Sequence, residues 1–170
     1  MRVHVRIEGD PFERARRPVV VLDTELFDEA AAVAPAFELA GSLGIPREKM
    51  PQIAGDDFDD FIDYLRTDAE LSVRKGTRAV GNVKPTQDRI DPEKVGKMRN
   101  KPISELRQPI VISSDGYLLD GHHRWAALVQ RDPSIKLNVW QVDCSMIELL
   151  KIAKRFEGSF TRKYGESIEG

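Results

Sequence analysis

Apolar and polar positions change period several times along this chain, and each change marks an element. From Arg2 to Ile7, Val3, Val5 and Ile7 alternate with Arg2, His4 and Arg6, the two-residue period of a half-buried strand. Pro18 to Leu22 is a short β-branched run and a second strand candidate. Phe27 to Leu43 is alanine-rich and helical in character, with Pro35 ending, starting or kinking a turn inside it. Gly44-Ile45-Pro46 punctuates. Asp57 to Leu65 then places Phe58, Phe61, Ile62 and Leu65 at helical spacing, which predicts an amphipathic helix with its aspartates toward solvent.

The later part of the chain is more regular. Glu70 to Lys84 holds Leu71, Val73, Val80 and Val83 broken by Gly76 and Gly81, and reads as one or two strands. Asp91-Pro92-Glu93 opens a helix running to about Asn100, with Asp as N-cap and Pro at the first helical position. Pro109 to Ser113 is a compact apolar strand, Asp115-Gly116 a hairpin signal, and Tyr117 to Leu119 the return strand. Gly121 to Arg131 is helical and Leu137 to Val142 is a strand. Ser145 caps a last helix, with Glu148 three residues on completing a capping box. Strand, helix, hairpin, helix, strand, helix predicts a small α/β (α+β) unit. The expected organisation is a strand and helical extension over residues 1–70, a core over 71–160 and a tail over 161–170.

Composition narrows the class. With 170 residues one domain is the default. The single cysteine, Cys144, leaves no disulfide framework and no cysteine-rich zinc site, and it reads as a packing residue. No apolar run approaches the ~20 residues of a membrane span, so the expectation is a soluble, cytoplasmic protein without a membrane partner. The formal charge of -2 hides an uneven distribution. Asp56 to Asp63 holds five aspartates in eight residues, whereas Arg74 to Arg107 holds ten basic residues against four acidic ones. The acidic run reads as a solvated helix face. The basic stretch is a candidate surface for DNA phosphates or an ordinary solvated helix.

The candidate chemistry lies in Asp120-Gly121-His122-His123-Arg124-Trp125-Ala126, where a strand end meets a helix start. The first N–H groups of a helix are unpaired and its dipole is positive there, so anions bind readily. Gly121 permits a sharp turn and close backbone approach. Arg124 can fork phosphate oxygens, and His122 and His123 can donate to them or move protons. Consecutive helical residues point ~100° apart, so one histidine is expected to face a ligand and the other to hold the turn or face a substrate. Asp120 can accept from a hydroxyl or hold Mg²⁺. Trp125 and Trp140 read as core residues.

The segment from about Val80 to Phe156 resembles the ParB/sulfiredoxin superfamily. The resemblance is carried in order by Val83-Lys84-Pro85-Thr86-Gln87, Gln108-Pro109-Ile110-Val111, Asp115-Gly116-Tyr117 and Asp120-Gly121-His122-His123-Arg124-Trp125-Ala126-Ala127. It covers a little under half of the chain, and the first 70 residues carry none of it. Partition proteins of this superfamily have Glu-Arg where this chain has His122-His123 and bind CTP there. Sulfiredoxins have Cys-His, with the cysteine reactive, and His122 excludes that chemistry here. The Asp-Gly-His-His-Arg form is most similar to the branch with free-serine kinases and to small phage and mobile-element domains labelled ParB-like nucleases.

What the resemblance implies is a nucleotide pocket at the strand–helix turn. The expected contacts for a nucleoside di- or triphosphate (ATP or ADP, with CTP as an alternative) are Lys84, Thr86, Gln87, Gly121, His122, His123 and Arg124. The expected catalytic residues are Asp120, His122 and His123, with Asp120 also the Mg²⁺ ligand. In the serine-kinase branch a carboxylate is expected near position 87, and Gln87 cannot accept a proton. The leading expectation is phosphotransfer or nucleotide hydrolysis, acting on a hydroxyl of a small molecule or of a modified DNA base. The alternatives are a DNA-binding or nuclease module using Arg74–Arg107, or a nucleotide-gated scaffold without turnover.

Overall fold

In the computed structural model the described residues are 37–39 and 41–161. The strand candidates Arg2–Ile7 and Pro18–Leu22 lie outside them, as do residues 162–170 of the tail. The fold is α+β. Its elements in chain order are β1 (Phe37–Glu38), β2 (Gln52–Ile53), α1 (Phe58–Thr67), β3 (Val73–Ala79), β4 (Arg89–Ile90), α2 (Pro92–Arg99), α3 (Ile103–Leu106), β5 (Ile110–Ser113), α4 (His122–Arg131), β6 (Lys136–Val142), α5 (Met146–Ala153) and β7 (Ser159–Phe160).

The central sheet has the order β3-β6-β5, with β3 antiparallel and β5 parallel to β6. Strands β5 and β6 are joined through α4, as a parallel pair requires a crossover rather than a tight turn. All four residues of β5 are buried, because helices cover both faces of the sheet. On one face Ile110, Ile112, Leu137 and Val139 pack with Trp125, Ala126 and Leu128 of α4 and Val95 of α2. On the other face Val111 and Val142 pack with Phe61, Ile62 and Leu65 of α1 and Met146, Leu149 and Leu150 of α5. Helix α1 therefore shares a core with residues beyond 110, and the packing shows no seam at residue 70.

Local chemistry explains the ends of the helices. Asp91 accepts hydrogen bonds from the Glu93 and Lys94 backbone N–H groups ahead of α2, with Pro92 in the first turn. Ser145 Oγ accepts from Glu148 N at 3.3 Å ahead of α5. Helix α1 turns Phe61, Ile62 and Leu65 inward and leaves Asp59, Asp60 and Asp63 exposed, as its pattern predicts.

Two expectations need correcting. The described part of the alanine-rich stretch Phe27–Leu43 is not helical: β1 pairs antiparallel with β4, and Leu39 N donates to Asp88 O at 2.7 Å. Backbone pairing and burial of Leu39 outweigh a weak helical propensity there. The return strand Tyr117–Leu119 forms isolated bridges, Tyr117 to Lys84 and Leu118 to Ile112, because the chain leaves the sheet at once to enter α4. The short helix α3 and the pairs β1–β4 and β2–β7 were not legible in the pattern. Two-residue strands carry no period. Among the described residues no helix is long and apolar enough to cross a membrane.

Candidate functional site

Asp115-Gly116, with Gly116 at φ +85°, reverses the chain after β5 and delivers it to Asp120. Gly121 stands at φ +88°, a left-handed conformation that L side chains adopt only with strain. It also lies under Arg124, because a Cβ at position 121 would stand 3.1 Å from Arg124 Nη2. The turn thus folds Arg124 back over the start of α4, and Arg124 Nη1 donates to Gln108 Oε1 at 3.1 Å.

Asp120 ties two parts of the chain together. Its Oδ1 accepts from Gly121 N at 2.6 Å and its Oδ2 from Ile53 N, in β2, at 3.3 Å. Burial raises its pKa above the usual carboxylate value, against the lowering pull of those two N–H groups and of Arg124 and Arg47.

The two histidines point to different partners, as consecutive helical residues should. His122 is buried, and its Nε2 accepts from Thr86 N at 3.0 Å and Gln87 N at 3.2 Å. That geometry fixes its proton on Nδ1 and makes it the strut that holds the 84–87 turn against α4. Burial, then the neighbouring His123 and Arg47, lowers its pKa to about 3. His123 Nε2 accepts from Asp91 N at 3.1 Å, joining α4 to the cap of α2. Burial, Arg47 and Lys94 lower its pKa to about 4, with Asp91 opposing. Both rings are neutral at pH 7.

The remaining expected contacts divide. Gln87 lines the cleft, though its side-chain amide donates to Arg89 O. Thr86 is fully buried and its Oγ1 donates to Leu118 O at 2.6 Å, so it supports the turn from behind. Lys84 Nζ sits 4.1 Å from the centre of the Tyr117 ring. Lys84 and Thr86, expected as nucleotide contacts, do not line the cleft. Lys84 pairs with Tyr117 through a backbone bridge.

The cleft has a volume of about 1250 Å³. It is lined from the sheet by Lys75 of β3 and by Asn138 and Trp140 of β6. One wall runs from Gln52 to Phe61, the other from Leu119 to Arg124. Several lining residues were not foreseen as functional. Arg47 is 7% exposed although it is an arginine at the start of a short 3-10 turn, Arg47–Lys49, and lies beside His123. Lys94 joins it from α2. Trp140, expected as core, is only partly buried and carries Lys75 Nζ at 4.5 Å and Arg66 Cζ at 5.0 Å from its ring centre. Nothing local marks Arg47. Its neighbour in space is 76 positions away in sequence. Trp125 is core, as expected, with Nε1 donating to Val80 O at 3.0 Å. Cys144 is buried, and burial with nearby acidic groups pushes its thiol up to about 11, which leaves it inert.

Among the described residues no group of three or more His, Cys, Asp or Glu side chains is placed to hold a metal ion. Asp120 alone fits a Mg²⁺ that arrives on ligand phosphates, since Mg²⁺ commonly takes one or two carboxylates and keeps its waters. Scans against protein-family models, curated proteins and solved structures found no match to this chain.

Proposed function

We propose that the cleft binds a nucleoside di- or triphosphate, ATP or ADP foremost, and transfers its terminal phosphoryl group to a hydroxyl. The acceptor is a small molecule or a modified base in DNA. The observation that carries this reading is that Arg47, Lys94 and Arg124 line one cleft together with Asp120 and the start of α4. The ordered likeness of residues 83–127 to the ParB/sulfiredoxin superfamily supports it.

In this mechanism the backbone N–H groups opening α4 and the Arg124 guanidinium hold phosphate oxygens. The acceptor hydroxyl oxygen forms a bond to the terminal phosphorus as the bond from phosphorus to the bridging oxygen breaks. The shortened nucleotide leaves with that electron pair. Asp120 orients the hydroxyl and takes its proton, a task its raised pKa suits. His122 and His123 act by position, holding the turn and α2 against the helix start. Mg²⁺, held by Asp120 and the phosphates, would supply charge neutralisation.

Asp120→Asn is expected to keep nucleotide affinity within a few-fold and to lower transfer or release of phosphate by about 10²–10⁴-fold. Binding with no turnover by the unaltered chain would instead assign a nucleotide-gated scaffold. A second reading, a DNA-directed module, draws on β3, where Arg74, Lys75 and Arg78 are all exposed. Its mark would be nicking of plasmid with a divalent metal and no nucleotide.

A further inference from the structure

The sheet face that carries Trp140 is covered unevenly. Residues directly opposite in an antiparallel pair, and alternate residues along a strand, share a face. Lys75 stands opposite Trp140, and Thr77 opposite Asn138. Val73 and Val142, at one end of that face, join the core of α1 and α5. Beyond them Lys75, Thr77 and Asn138 are exposed and Trp140 is partly buried. All of these but Thr77 line the cleft. The Trp140 ring gathers positive charge, with Lys75 Nζ 4.5 Å and Arg66 Cζ 5.0 Å from its centre. Strands β3 and β6 together bring Arg74, Lys75, Arg78 and Lys136, and no acidic residue.

We infer that this face binds single-stranded DNA, with one base stacked on the Trp140 ring and the phosphates on Lys75, Arg66 and the cations of β3. Every base has a π-face, so such stacking needs no particular sequence. Thr77 and Asn138 offer hydrogen bonds to base edges from the same face. Stacking moves Lys75 off the ring. A cation–π contact at an exposed site is weaker than a stacked base, and the ammonium passes to a phosphate instead. Asp56 and Asp59, on the α1 side of the cleft, repel a phosphate chain and leave the β3 side to it. A duplex keeps its bases stacked on one another, so the ring selects the single strand. The use of this strand as acceptor rests on the phosphoryl-transfer reading and puts the acceptor hydroxyl on DNA. The binding itself needs no nucleotide.

The test is tryptophan fluorescence of the full chain titrated with an oligothymidylate strand, without ATP or ADP. Trp125 is buried and donates to Val80 O, so quenching by a stacked base reports on Trp140. The unaltered chain should be quenched to saturation. Trp140→Ala should weaken binding of a labelled strand by about tenfold or more. Lys75→Gln, an exposed change that spares the core, should lower the slope of log affinity against log salt by about 0.7. No quenching of the unaltered chain overturns the inference, whatever the fate of the variants. So does a duplex that binds as tightly as the strand, or an unchanged affinity in Trp140→Ala. Thymidine monophosphate that quenches as strongly as the strand overturns it too, since the ring would then hold the base of a single nucleotide. Quenching by the strand in a chain that takes up neither ATP nor ADP would keep this face and end the phosphoryl-transfer reading. Nucleotide binding without any response to the strand would do the reverse.

Discussion

Gly121 concentrates two constraints in one residue. Its φ of +88° disfavours any side chain, and a Cβ there would press on Arg124. Gly121→Ala is therefore expected to destabilise the fold by about 1–2 kcal/mol, measured by urea unfolding, and to weaken ligand binding further by displacing the guanidinium. His122 makes a different kind of claim. His122→Ala leaves the Thr86 and Gln87 N–H groups buried without their acceptor, at a cost of about 2–4 kcal/mol. The histidines also set a pH dependence. Their pKa values fall from 6.5 in the unfolded chain to about 3 and about 4 in the fold, so the unfolded state binds the extra protons. Stability is unaffected by them above about pH 6.5 and is lost as pH falls from there toward 3–4, by up to ~1.4 kcal/mol per pH unit for each ring. Asp120, with its pKa raised, works in the opposite sense, losing stability as pH rises above the usual carboxylate value. Unfolding curves at pH 7, 6, 5 and 4 should show the histidine loss, reduced in His122→Gln. At this scale the sequence marked Asp120, Gly121 and Arg124 correctly as neighbours of one turn. It could not show that the imidazoles accept backbone N–H groups, since Thr86 and Asp91 reach them only through folding.

At the scale of elements, α1 connects stability to the site. Phe61 is fully buried, meets Phe156 edge-on at 5.2 Å between ring centres, and also borders the cleft. Phe61→Ala is expected to cost about 3–5 kcal/mol, read by chemical denaturation. Ser145→Ala should cost about 1 kcal/mol through the lost cap of α5. The long periodic elements were legible before folding because each buries one stripe: α1, α2, α4, β6 and α5 sit where their patterns put them. The sheet order and the β1–β4 and β2–β7 pairs were not, since their registers are set by contacts between distant segments. Strand β3 is an edge strand exposed along its middle, and its Arg74, Lys75 and Arg78 discourage pairing with a second chain. The same charges could serve DNA. The fold alone does not require that.

For the whole molecule, the near balance of charge resolves into opposed surfaces. The acidic face of α1 begins at one wall of the cleft, whereas Arg47, Lys94 and Arg124 line the other parts. Arg47 is buried and Lys94 and Arg124 are partly buried along the same cleft as the start of α4, where the helix's first N–H groups favour an anion, and that is the physical root of the proposed function. The most direct measurement is thermal unfolding of the full chain with ATP, ADP, CTP and GTP, each with Mg²⁺. A ligand at a hundred times its Kd adds about 2.7 kcal/mol, which for a chain of this size raises Tm by several degrees. The account expects at least one nucleotide to do so, and Arg124→Met to abolish the rise while leaving the unliganded Tm within a few degrees. An unchanged Tm with all four nucleotides would contradict it.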